Sequence, residues 1–97
     1  MITSVRNPLV KQMRKLHSPK GRRKQNLFLI EGTHLLETAS VVGCSLKIIC
    51  VTPQWLARYP QLWEKVRFLA PKVETVSPEV LEAIATTVHP DGIIGAA

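Results

Sequence analysis

Aromatic side chains are scarce in this chain. Two Phe, two Trp and one Tyr among 97 residues are too few for the rows of stacking rings that read single-stranded nucleic acid. Cysteine is equally thin. Cys44 and Cys50 stand outside any C-x-x-C spacing and have no paired His pattern, which excludes a zinc site. Cys50, set in an apolar run, reads as a small buried hydrophobe, and Cys44, beside Gly43, as a loop thiol. Hydrophobic runs stop far short of the length that spans a bilayer, and no apolar stretch with a small-residue cleavage site opens the chain. The expected setting is the cytoplasm.

Motifs for chemistry are missing too. There is no G-x-x-x-x-G-K phosphate loop, no G-x-G-x-x-G after the first strand and no G-x-S-x-G elbow, which argues against nucleotide hydrolysis, dinucleotide binding and a serine nucleophile. His17, His34 and His89 are scattered and form no metal-binding cluster. Glu79 and Glu82 fall one helical turn apart, where a solvated face explains them. No catalytic constellation, metal site or cofactor site is expected in these residues.

The most informative gap is one of negative charge. No Asp or Glu precedes Glu31, yet Arg6, Lys11, Arg14, Lys15, Lys20, Arg22, Arg23 and Lys24 all do. The five remaining basic residues face all seven acidic ones, so the net charge of +6 belongs to one end of the chain. Charge gathered in this way steers and holds phosphates and has little say in the fold. A solvated tail is the plain alternative, but apolar residues are threaded through the segment at regular spacing. The first expectation is a nucleic-acid surface.

With 45% hydrophobic and 21% charged residues, the composition is that of one folded domain. From Asn7 to His17, Leu9, Val10, Met13 and Leu16 share one helical face and Lys11, Arg14 and Lys15 the other, with Asn7 as N-cap and Pro8 at the first helical position. Ser18-Pro19-Lys20-Gly21 is expected to stop that helix, leaving a basic arm through Lys24. Leu27 to Ile30 reads as a strand. A turn at Gly32 leads into a helix in which Leu35, Leu36, Ala39 and Val42 face inward, capped by Gly43. Leu46 to Val51 is the second strand. Thr52-Pro53 opens a helix that breaks at Tyr59-Pro60 before a segment lined by Leu62, Val66 and Leu69. A short strand over Val73 to Val76, a helix from Ser77-Pro78 with Leu81, Ile84 and Ala85 inward, a turn at His89 to Gly92 and a strand from Ile93 to Ala97 complete the pattern.

Alternating strands and helices predict a three-layer α/β/α sandwich with a mainly parallel sheet. The division expected is a basic N-terminal helix and arm over 1–24 and an α/β core over 25–97. A core strand flush with Ala97 suggests that the chain is cut at a domain boundary.

Arginine grips phosphate through a planar fork and lysine adds a mobile point charge. The predicted nucleic-acid-binding set is therefore Lys11, Arg14, Lys15, Lys20, Arg22, Arg23 and Lys24. Asn7 joins it as a donor to base or phosphate, alongside its role as a cap. Glu31, at the end of an apolar strand, either pairs with one of the arginines and orients the arm or accepts from a ribose hydroxyl. The ion pair is the favoured reading.

Several short segments, in order, resemble a known family. Ile2-Thr3-Ser4 through Asn7-Pro8-Leu9-Val10-Lys11, Lys20 to Arg23, Phe28-Leu29-Ile30-Glu31-Gly32 with Leu35-Leu36, Val76 to Leu81, and Ala85-Thr86-Thr87 leading to His89-Pro90-Asp91-Gly92-Ile93-Ile94 are similar to the N-terminal substrate-binding domain of the SpoU/TrmH family of RNA 2'-O-ribose methyltransferases. The resemblance implies a small α/β/α domain similar to kink-turn-binding ribosomal proteins. It also implies structured ribosomal or transfer RNA as partner, together with the parent enzyme's own C-terminal methyltransferase domain, and a homodimer formed through that parent. S-adenosylmethionine would be used in the separate knotted domain expected after residue 97, whose motifs do not occur here. Where the family commonly has Gln before the last glycine of the proline turn, this chain has Asp91, so that turn is not assigned to RNA. Two other readings stand beside this one, a free-standing RNA-binding protein of the kink-turn type and a docking or dimerisation scaffold that ignores RNA.

Overall fold

Four helices open in the same way, on a small polar side chain followed by proline. In the computed structural model, which describes residues 1–97, the side chains of Asn7, Ser18, Thr52 and Ser77 accept from the backbone N–H of Leu9, Gly21, Trp55 and Val80. Each satisfies a donor that the first helical turn leaves free, while proline has no N–H to satisfy. The elements are α1 (Pro8–Arg14), prolonged by a 3-10 turn at Lys15–His17, then α2 (Pro19–Gln25), β1 (Leu29–Glu31), α3 (Thr33–Val42), β2 (Ile48–Val51) and α4 (Pro53–Arg58). They are followed by α5 (Pro60–Val66), a 3-10 turn at Arg67–Leu69, β3 (Lys72–Thr75), α6 (Pro78–Ile84) and β4 (Ile93–Ala96).

The strands form one sheet in the order β1-β4-β2-β3. β2 pairs with β3 in parallel, and β4 lies antiparallel between β1 and β2, with Ala96 opposite both Leu29 and Ile48. Three of four strands thus share a direction, but the sheet is mixed rather than wholly parallel. The path of the chain sets this: after α6 the 85–92 segment returns to the C-terminal end of β2, where the Thr52 N–H donates to Gly92 O at 2.9 Å, so β4 starts opposite Val51 and runs against β2. Ile2 extends the other edge, donating to Thr75 O at 2.9 Å and accepting from Ser77 N at 2.9 Å.

Period-two alternation along the strands sends side chains to two cores. Ile48, Cys50, Ile94 and Ala96 meet Val10, Met13 and Leu16 from the first helix and Val80, Leu81 and Ile84 from α6. Ile49, Val51 and Ile93 meet Leu36 from α3, Trp55 from α4 and Val66 from α5 on the opposite face. That is the three-layer α/β/α arrangement expected. In α3 only Leu36 and Ala39 of the four predicted inward residues are buried, whereas Leu35 and Val42 are exposed. A helix lying on a sheet covers a narrower stripe than its hydrophobic spacing allows. No helix is long and apolar enough to cross a membrane.

Two carboxylates tie the turn after β1 to the segment before β4. Asp91 accepts from the backbone N–H of Thr33 at 2.8 Å and from its hydroxyl at 2.7 Å, and Trp55 Nε1 donates to that same hydroxyl at 2.9 Å. Glu31 accepts from the N–H of Thr86 at 2.8 Å and from the Thr86 hydroxyl. Gly32, the backbone cap of α3, has no side chain to serve the helix N-terminus, so Asp91 supplies the acceptor from across the fold. Gly92 next to it has φ +112, and a Cβ there would come within 2.9 Å of Trp55 Cβ. Asp91→Ala is expected to lower stability by about 1–2 kcal/mol, read from urea denaturation. An unchanged midpoint would mean that Asp91 does not cap α3.

Candidate nucleic-acid interface

The segment expected as a basic arm is a helix. α2 is seven residues long, too short to persist alone, and it carries Lys20, Arg22, Arg23 and Lys24 with no acidic residue to offset them. Three tertiary bonds hold it against the first helix. Arg22 Nη1 donates to the carbonyls of Leu16 at 3.0 Å and His17 at 3.2 Å, and Gln25 Nε2 donates to the Gln12 carbonyl at 3.0 Å. The C-terminal carbonyls of the 3-10 turn are thereby satisfied by a side chain. His17 Nε2 donates to Ile84 O, fastening the same turn to α6.

Gly21 is what lets the two helices meet. A Cβ at this position would overlap the Lys15 carbonyl, lying 2.7 Å from its carbon. The sequence signs read together as a stop, Ser18-Pro19 and Gly21, are in fact a cap and a contact point. Ser18-Pro19 repeats the opening of α1, α4 and α6, and that repetition was the signal available for α2.

Between α1 and α2 runs an open groove of about 560 Å³, lined by Pro8, Lys11, Gln12, Lys15, Gly21, Lys24 and Gln25. Of the eight predicted binding residues, Lys11, Lys15 and Lys24 share it. Arg14 lies one turn from Lys11, and Lys20 and Arg23 one turn or less from Lys24, all exposed on the flanking helix faces. Arg22 is partly buried and engaged as the clamp just described. Asn7 is occupied as the cap of α1, its Oδ1 2.9 Å from Leu9 N.

Glu31 does not orient the basic segment. Its carboxylate is bonded to Thr86 and, at 3.4 Å, to Thr87 N, and the single ion pair of the molecule joins Glu64 to Arg67. The ion pair favoured from sequence is therefore not formed: the end of β1 places the Glu31 carboxylate against Thr86 and Thr87, which take up its oxygens in place of an arginine. The lysines of the groove are left without carboxylate partners.

Elsewhere the chemistry is quiet. Cys50 lies with its Sγ 3.3 Å from Met13 Sδ, and burial, together with Glu74, pushes its thiol from 9.0 up to about 12. It stays protonated and inert at neutral pH. Trp55, Tyr59 and Trp63 pack on one another in the second core, so most of the few aromatic rings are structural. A hollow of about 660 Å³ beside them is lined by His34, Glu37 and Arg58, residues that sequence reasoning did not single out for binding. The Thr33–Asp91 pair forms part of its wall, so the N-terminus of α3 is already capped there.

Residues 7–95 match the profile of the MRM3-like substrate-binding domain. The chain belongs to this family. The MRM3-like domain is 45% identical over 93 residues to an uncharacterized tRNA/rRNA methyltransferase of Synechocystis, which covers 96% of the chain and 34% of that protein. Among solved structures, an RNA 2'-O ribose methyltransferase superposes with a TM-score of 0.77 at 30% identity, over 98% of the chain and 36% of that protein. An rRNA methyltransferase from Sinorhizobium meliloti, solved with AdoMet bound, superposes with a TM-score of 0.78 at 26% identity, over 98% of the chain and 34% of that protein. The resemblance to SpoU/TrmH-type proteins read from the short motifs therefore holds along nearly the whole domain. The chain spans about a third of the length of these relatives.

Proposed function

We propose that this domain grips structured ribosomal or transfer RNA and presents it to a 2'-O-ribose methyltransferase. Methyl transfer and S-adenosylmethionine belong, in this reading, to a separate C-terminal domain. The greater length of the methyltransferase relatives supports that division, as does the AdoMet-bound neighbour. The domain's own part is recognition. One observation carries it: Lys11, Lys15 and Lys24 converge on a single groove with no carboxylate partner. Holding like charges together destabilises a fold, and a phosphate backbone relieves that repulsion.

The test is a salt titration with a short rRNA hairpin. Three phosphates neutralised give a log–log slope of affinity against salt of about −2 to −3. Affinity that does not move between low and high salt would rule out phosphate contact and with it this function. Arg14, Lys20 and Arg23, on the flanks, steepen the slope if the RNA reaches them.

A further inference from the structure

Gln12 and Gln25 line two cavities at once. One is the lysine groove; the other is a narrower pocket of about 270 Å³, walled by Leu9, Leu16, Leu27, Ile48 and Pro71. Lys47 and Lys72, both exposed, stand among its lining residues, and no carboxylate does. We propose that this pocket receives a single unstacked nucleobase from the RNA whose backbone lies in the lysine groove.

The chemistry of the walls favours that occupant. An apolar recess gives water few partners, whereas the faces of a base gain from leaving water for aliphatic side chains. The volume lies just under the roughly 300–1,000 Å³ of sites for drug-sized ligands, a scale suited to one ring system. Recognition of an RNA base commonly pairs such burial with hydrogen bonds to the base edge. Gln25 uses its Nε2 on the Gln12 carbonyl, which leaves its amide oxygen as an acceptor, and the side-chain amide of Gln12 is committed to nothing. Charge is complementary on both sides. Phosphates entering would meet Lys11, Lys15 and Lys24, and phosphates leaving would meet Lys47 and Lys72.

This inference rests on the RNA-binding reading, and the experiment separates the two. Two RNA hairpins are compared with the 97-residue chain, identical except that one carries a single-nucleotide bulge of 2-aminopurine. The bulged hairpin is expected to bind about tenfold more tightly, with the bulge base shielded from acrylamide quenching. Leu27→Trp, which fills the pocket, is expected to make the two hairpins equivalent while leaving binding of the paired one intact. Gln12→Ala, at an exposed position whose protein contact is through its backbone, lowers the preference without burdening the fold. Equal affinity of the parent chain for both hairpins overturns the pocket and leaves the groove standing. Retained preference in folded Leu27→Trp also overturns it, because the bulge base would then be recognised elsewhere. Failure to bind either hairpin overturns both readings.

Discussion

Gly21→Ala is expected to lift α2 from the first helix and to weaken RNA binding in the same step. Helix propensity alone gives the opposite sign, since alanine is better than glycine in a helix interior by about 1 kcal/mol. Geometry decides against it. The new methyl would collide with the Lys15 carbonyl, which is backbone and has no rotamer in which to retreat. Overpacking of this kind costs about 1–3 kcal/mol and more where nothing can yield, so the clash outweighs the propensity gain. Because the bonds from Arg22 and Gln25 are the other ties on α2, separation there releases the helix locally. Amide exchange should lose protection over residues 19–25 while the sheet retains it, and hairpin affinity should fall as Lys24 leaves the groove. A variant with unchanged exchange and unchanged affinity would refute the close packing.

Reversing Lys15 and Lys24 together to Glu should have the larger effect on binding. Both side chains are exposed, so neither change disturbs the core. Each reversal removes a phosphate contact and adds a repelling charge, and the pair is expected to lower affinity about a hundredfold at moderate salt, with a salt slope shallower by about 2. Lys65→Glu on α5, across the molecule from the groove, is the control. It changes net charge by the same amount per site but should leave the slope unaltered. Equal losses in the control and in half of the double variant would show that net charge alone, without a shaped groove, holds the RNA.

Much of this architecture was legible before the structure. The cap-and-proline openings at Asn7, Thr52 and Ser77, the β-branched run at Ile48 to Val51 and the spacing of Val10, Met13 and Leu16 each carry a local physical signal, and each appears where expected. What stayed hidden is non-local. Whether β4 runs with or against its neighbours depends on the path of the chain, not on Ile93 to Ala96 themselves. Arg22 reads as one more cation in a basic run, and only the position of the Leu16 and His17 carbonyls makes it a clamp. Glu31 and Asp91 likewise look like surface charge until Thr86 and Thr33 are brought to them from more than fifty residues away. For the candidate site, the sequence marked the segment from which the groove is built. It could not tell that three lysines share a groove while Arg22 and Asn7 are spent on structure.

The tethering of α2 has a further effect on how fast and how firmly the domain can engage. A disordered basic tail must give up its freedom at the moment of encounter, which subtracts from the free energy of association. Here that entropy is surrendered during folding, through Arg22 and Gln25, so the lysine backbones stand in place before any nucleic acid arrives. In the proposed RNA-binding role, the domain would therefore meet its partner with this backbone already fixed and only the lysine side chains left to settle.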